Sequence, residues 1–168
     1  MNQIKQLERA WVCEQSNFNQ ERKVAVTITL KQGRRGQNRL WQPLCTSEIQ
    51  KLVKDLYKHI NKNAFKSAYK RYGKRVFILG AIEGNGVDKR KHIHLSIGIP
   101  NHYDEQYFKS WLLDEIPKYQ WVYKQYKVDI LETKQDEIKW HRYLTKDGFE
   151  LELFEPQSHS PEHQHKNW

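Results

Sequence analysis

Lys91-His-Ile-His-Leu-Ser-Ile-Gly-Ile99 is the stretch on which the fold turns. Ile93, Leu95, Ile97 and Ile99 alternate with His92, His94, Ser96 and Gly98, and the two-residue period of a strand sends the two sets to opposite faces. The segment therefore predicts a strand with one aliphatic face and one polar face carrying two imidazoles. Upstream, Arg75-Val-Phe-Ile-Leu-Gly-Ala-Ile-Glu83 is apolar on both faces, as expected of a strand covered on both sides. Gly84-Asn-Gly-Val-Asp88 between them is a turn signal, so the second strand should return antiparallel beside the first.

Two further strands follow from the same period. Lys23 to Leu30 places Val24, Val26, Ile28 and Leu30 opposite Ala25, Thr27 and Thr29, and Trp121 to Leu131 places Val122, Tyr126, Val128 and Ile130 on one side. A short strand over Glu150 to Phe154 is expected to close the sheet. Helical spacing appears four times. Residues 3 to 14 carry Ile4, Leu7, Trp11 and Val12, read as a short amphipathic helix packed on the domain. Thr46-Ser-Glu48 opens a long helix with a stripe of Ile49, Val53, Leu56 and Ile60, and Asn61-Lys-Asn63 is its candidate interruption. Tyr103 to Ile116 predicts a helix with Tyr107, Phe108, Trp111, Leu112 and Ile116 inward. Thr133-Lys-Gln-Asp136 has capping-box spacing and starts a helix ending near Asp147-Gly148. Gly33 to Arg39 reads as a flexible basic loop. The order β-α-β-β-α-β plus a helix predicts an α+β chain. Its sheet is ferredoxin-like (RRM-like), antiparallel and of about five strands, with helices on one face and the last helix near the polar face. Residues 1–155 form one domain, with 1–22 as an N-terminal helical extension, and 156–168 read as a disordered polar tail.

The length of 168 residues suits one domain with a core and is too short for two of ordinary size. Lys plus Arg outnumber Asp plus Glu by 29 to 20, a net +9, which points to a polyanionic partner, nucleic acid or an anionic membrane surface. No run approaches eighteen apolar residues and the N-terminus lacks an apolar h-region, so neither a membrane span nor a secretory signal is expected. Cys13 and Cys45 lie far apart with no CxxC pair. That argues against a disulfide framework and a thiolate zinc site, and both are expected to be reduced and structural. Lys51, Lys54, Lys58, Lys62, Lys66 and Lys70 fall near one face of the long helix if it is continuous; a solvated face and a phosphate-contacting face are equally good readings.

His92 and His94 share a strand face and are close enough to share a metal ion. A His-x-His pair alone fits two surface histidines as well. Glu83 ends the preceding strand, where an antiparallel return can bring its carboxylate beside the imidazoles. Such a set suits Mg²⁺ or Mn²⁺ bound together with substrate phosphate, or Zn²⁺. Tyr143 and Lys146, in Tyr143-Leu-Thr-Lys146, are three apart on one helix face; alone, this is also how an interfacial Tyr with a snorkelling Lys looks.

The conjunction resembles the HUH endonuclease superfamily, most closely its single-tyrosine rolling-circle replication initiators. Val26-Thr-Ile-Thr-Leu30 lies where the family's first strand motif falls, His92-Ile-His-Leu95 is similar to its His-hydrophobic-His motif, and Tyr143-Leu-Thr-Lys146 to its catalytic helix. The likeness runs from Lys23 to about Phe154. It implies site-specific cutting of single-stranded DNA, with Tyr143 as nucleophile forming a 5′-phosphotyrosine link and leaving a 3′-hydroxyl. It also implies a divalent metal on His92, His94 and Glu83, with Lys146 favouring the phenolate or neutralising phosphate. Making phenolate from an ordinary tyrosine at neutral pH costs about 4 kcal/mol, which a metal and a lysine would offset. The partners implied are single-stranded DNA with an origin hairpin and host replication proteins such as a helicase, in a prokaryotic cytoplasm and away from membranes.

DNA contact is expected from the polar sheet face with Arg34, Arg35 and Arg39 of the basic loop. Tyr123, Lys124 and Lys127 suit stacked bases and phosphates, although alternating aromatics also suit a core. His141 is expected to pack or contact phosphate, and His59 and His102 to lack partners. Two other readings stay open: a single-tyrosine transposase or relaxase of the same superfamily, and a non-catalytic RNA- or DNA-binding module on a ferredoxin-like sheet.

Overall fold

The computed structural model describes residues 3–18, 22–36, 39–84, 90–146 and 149–152. The expected turn at 85–88, the helix end at 147–148 and the tail at 156–168 lie outside the described residues.

Four antiparallel strands carry the architecture: β1 (Lys23–Leu30), β4 (Ile78–Glu83), β5 (His92–Gly98) and β6 (Val122–Leu131), in the order β6-β1-β5-β4. A short β7 (Phe149–Glu152) adds antiparallel at the edge of β4. Two central strands, β1 and β5, pair in the register Val26↔Leu95, Thr27↔His94 and Thr29↔His92. The alternation read from the sequence is thus kept strand by strand, and the sheet has one aliphatic and one mixed polar face. Helices α2 (Thr46–Phe65) and α4 (Glu105–Glu115) connect the strands in a β-α-β-β-α-β order compatible with a ferredoxin-like arrangement.

The main core lies on the aliphatic face. Val24, Val26, Ile28, Ile93, Leu95 and Ile97 pack there against Ile49, Val53, Leu56 and Ile60 of α2 and Phe108, Leu112 and Ile116 of α4 and the 3-10 turn after it. Burying side chains of this size contributes about 1.5–3 kcal/mol each. A smaller cluster on the other face joins Phe77, Leu79 and Ala81 to Leu144 of α5 (Lys134–Leu144) and Val12 of α1 (Gln3–Phe18). This cluster explains why the segment ending at Glu83 is apolar on both sides.

Several expectations are corrected. The first helix runs on to Phe18, and Ile4 and Leu7 are exposed; among the described side chains Val12 and, in part, Trp11 pack inward. Residues 33–39 are not simply a loop, because β2 (Gly33–Arg35) pairs with β3 (Trp41–Pro43) as a two-stranded ribbon. A Cβ on Gly33 would approach Trp41 to 2.5 Å, so the ribbon requires glycine there. Asn61 does not break α2. It is buried, donates to Tyr57 O, and accepts from Val76 N, tying the helix to the chain entering β4. The break falls at Lys66, with φ of 47°, before the short α3 (Ser67–Arg71), so the lysine stripe is not continuous. Tyr107 faces outward at 57% exposure, and Cys45 is exposed. His59 and His102 have partners: His59 meets Tyr119 and Glu115, and His102 bonds Ala64 O.

Candidate functional site

Helix α5 builds the site by lying across the polar face of the sheet, from Lys23 of β1 over Ser96 of β5 to Leu79 and Ala81 of β4. Its start is set by the expected capping box: Thr133 Oγ1 accepts from Asp136 N, and Asp136 Oδ2 accepts from Thr133 N. Its seat is set by two side-chain bonds to β5, from Trp140 Nε1 to Leu95 O at 3.1 Å and between His141 Nε2 and Ser96 Oγ at 2.9 Å. Below them Lys23 and Glu137 form a buried ion pair at 2.7 Å. With this register fixed, Tyr143 falls over His94, ring centroids 5.2 Å apart and edge to face.

The four reactive residue types converge here from three elements and the turn after α5. His94 Nε2 is 3.0 Å from Glu83 Oε2, and Thr27 Oγ1 is 3.2 Å from His94 Nδ1. Glu83 pairs with His92 in the β4–β5 register yet reaches the diagonal neighbour His94. The rings of His92 and His94 stack with centroids 6.2 Å apart. Lys146 Nζ lies 4.4 Å from the Tyr143 ring centroid and 3.7 Å from Glu83 Oε1. Trp140 stacks on Tyr143 at 5.4 Å, so the phenol is held between an indole and an imidazole while staying 36% exposed. Comparison with protein-family models, curated proteins and solved structures finds no match. The chemistry of the site therefore rests on its own atoms.

Burial lowers the His94 pKa, and outweighs the Glu83 bond and charge that raise it. The imidazole is neutral at pH 7. Burial pushes the Glu83 carboxyl up, but the His94 hydrogen bond and the Lys146 and histidine charges bring it below the usual carboxylate value. The site thus holds an ionised carboxylate against a neutral imidazole. Among the described residues no three His, Cys, Asp or Glu side chains are arranged as a ready metal cage, since His94 Nε2 is turned to Glu83 Oε2. The donor chemistry nonetheless fits a divalent cation: one carboxylate and two imidazoles share one face of adjacent strands. Ligation through Nε2 requires the His94 proton on Nδ1, and Thr27 Oγ1 is placed to accept it.

The other expected contacts are dispersed. Arg34 is tied by a 2.7 Å bond to Gln120 Oε1, with its guanidinium 4.9 Å from the Trp121 ring, so it pins the β2–β3 ribbon. Arg35 and Arg39 are exposed. Tyr123 is covered by the Arg90 guanidinium at 4.8 Å. Lys127 shares a cross-sheet row with Thr27 and His94 and pairs with Asp129 at 2.7 Å, and Lys124 is exposed. His141 is buried and packs, which removes the phosphate-contact alternative.

Thr27, Trp140, Ser96, Lys23 and Glu137 were not singled out from sequence. The i, i+4 spacing of Glu137 and His141, and the place of Lys23 and Thr27 on the polar alternation of β1, were the available signals. Both polar contacts under α5 are testable. Lys23→Met leaves the buried Glu137 carboxylate with Lys134, 3.2 Å away at the rim, and the His141 ring at 4.0 Å, and should cost about 3 kcal/mol in urea unfolding. Lys23→Met with Glu137→Leu should recover most of that. His141 is pushed down to about 4, chiefly by burial. Because its folded value lies below the unfolded value of about 6.5, the unfolded chain binds the extra proton. Stability is then full above pH 6.5 and is lost as pH falls towards 4, by about 3 kcal/mol from this group. Urea titrations at pH 7, 5 and 4 with wild type and His141→Gln would show the difference in slope.

Proposed function

We propose that the chain is a metal-dependent nickase and strand-joining enzyme for single-stranded DNA, acting through Tyr143, of the HUH replication-initiator type on a ferredoxin-like sheet. The observation that carries this is the convergence of Tyr143, His94, Glu83 and Lys146, which are up to 63 positions apart in sequence and bound to one another by contacts at one end of the sheet.

The Tyr143 phenol gives up its proton to solvent and its oxygen attacks the scissile phosphorus; the bond from phosphorus to the 3′-oxygen breaks, and that oxygen takes a proton from solvent and leaves as a 3′-hydroxyl. The phosphodiester is replaced by a phosphotyrosine ester, so a later 3′-hydroxyl can reverse the step. Trp140 and His94 restrict the Tyr143 ring, which lowers the entropy lost in reaching the phosphorus. Lys146, between the phenol ring and Glu83, supplies positive charge to the phenolate and to the phosphate oxygens. Mg²⁺ or Mn²⁺, held by His92, His94 and Glu83, would polarise the phosphate as a Lewis acid. Thr27 holds the His94 ring through its 3.2 Å contact with Nδ1. Thr27→Val should therefore weaken Mn²⁺ binding by about 10–100-fold in a calorimetric titration, while the folded chain is retained because Val suits a strand.

The strand polarity of the product tests the reading. Single-stranded DNA labelled 3′ of the cut should leave the label on denatured protein in the presence of Mn²⁺, and DNA labelled 5′ of the cut should release a shortened oligonucleotide. Label on neither product across a library of hairpin-bearing strands would favour the binding module instead.

A further inference from the structure

The net charge is concentrated in one place. Leu56 to Ile82 contains Lys58, Lys62, Lys66, Lys70, Arg71, Lys74 and Arg75 and no acidic residue, so seven of the net nine charges lie in 27 residues. A merely solvating surface mixes both signs. Lys66, in the left-handed region at φ 47°, turns α3 away from α2. The two arms of this elbow enclose an open hollow of about 700 Å³ lined by Lys58, Lys62, Lys66, Ser67, Tyr69 and Lys70. The four lysines are exposed and, among the described residues, none forms an ion pair.

The hollow is remote from Tyr143. Helix α2 packs on the aliphatic face and α5 on the other. Asn61 fastens the elbow beside Val76, before β4 begins, whereas Glu83 ends β4. Five residue steps of strand separate Ile78 from Glu83, roughly 17 Å, or about five base-pair steps of duplex.

We propose that the α2–α3 elbow is a second DNA-binding surface, one that grips the phosphate backbone of a base-paired stem while the nicking site holds the adjoining single strand. The naming of DNA as the ligand rests on the nickase reading; the binding itself does not require chemistry. Two observations favour duplex. Four exposed lysines lining one hollow match a dense charge, and duplex carries one phosphate per about 1.7 Å of axis against about 3.4 Å for one strand. Single-strand grooves pair lysines with stacking rings; here the ring of Tyr69 in the lining is covered by the Arg75 guanidinium at 3.8 Å, and Tyr72, 75% exposed, lies outside the lining.

The test is equilibrium binding of the full chain carrying Tyr143→Phe to a hairpin with a single-stranded arm, over a salt series. Lys58→Gln/Lys62→Gln/Lys70→Gln is added to it, Lys66 being left because of its backbone. Expected are about 10–100-fold weaker hairpin binding, a log–log salt slope smaller by about 2 to 3, and unchanged affinity for the arm alone. An unaltered melting temperature shows that the variant folds. Equal affinity and slope with and without the three lysines overturn the proposal. So does an equal loss on the arm alone, or a preference for anionic phosphatidylserine vesicles over the hairpin. If no DNA is ever captured covalently but hairpin binding still depends on the lysines, the nickase reading fails and this surface stands.

Discussion

Tyr143→Phe should abolish covalent capture of single-stranded DNA, lowering it by about a thousandfold or more, and should leave DNA affinity close to wild type. The size of the effect follows from what the substitution removes. The ring keeps its stack on Trp140 and its edge contact with His94, so the seat of α5 is unchanged. Only the oxygen that would attack phosphorus is lost. A quenched-time gel assay of protein–DNA adduct, with anisotropy for binding, separates the two quantities. Persistent adduct in the variant would transfer the nucleophile to another residue and leave the contacts around Tyr143 as packing.

His94→Gln and Glu83→Gln should each lower capture by about a hundredfold or more at saturating DNA. Chelation should do the same to wild type. These two side chains touch each other at 3.0 Å, and Glu83 also meets Lys146 at 3.7 Å. Removing either breaks the donor set and leaves Lys146 or Thr27 facing a changed partner. A structural role alone would also lower activity, so the deciding readout is the dependence on Mn²⁺. The Glu83→Gln deficit should shrink as Mn²⁺ is raised, because weakened ligation is a binding defect. Wild-type capture that is indifferent to chelator would remove the metal from the mechanism.

Much of this was legible from one face of one strand. The Ile/His alternation of 92–98 fixed which residues point to the core, because a pleated strand allows no other division. Glu83 was legible through the antiparallel return, and α5 through Thr133 and Asp136. What sequence does not carry is contact between elements. Thr27 is one of several polar residues on β1 until the register Thr27↔His94 selects it. Lys23 and Glu137 are ordinary charged residues until α5 settles over β1's polar face. Asn61 looks like a helix breaker, yet its amide bonds Tyr57 O and Val76 N, and that pair of bonds outweighs its low helix preference. Ile4 and Leu7 have helical spacing yet are exposed, and Tyr107 turns outward because Phe108 takes the inward position on α4. Gly33 to Arg39 read as a loop because a ribbon of two three-residue strands gives almost no periodic signal.

The site and the charge also separate. The charge that suggested nucleic acid lies mainly on the α2–α3 elbow, across the sheet from the groups that would react. On this proposal, binding of the stem and chemistry would be carried by different residues, so each should be removable without the other.

The most direct measurement is peptide mapping by mass spectrometry of the adduct formed between wild-type protein, Mn²⁺ and hairpin DNA, after nuclease and protease digestion. The prediction is one modified peptide spanning Trp140 to Lys146, with the 5′-phosphate of the downstream nucleotide on Tyr143. A nucleotide on any other residue, or no modified peptide where a DNA break is seen, contradicts it.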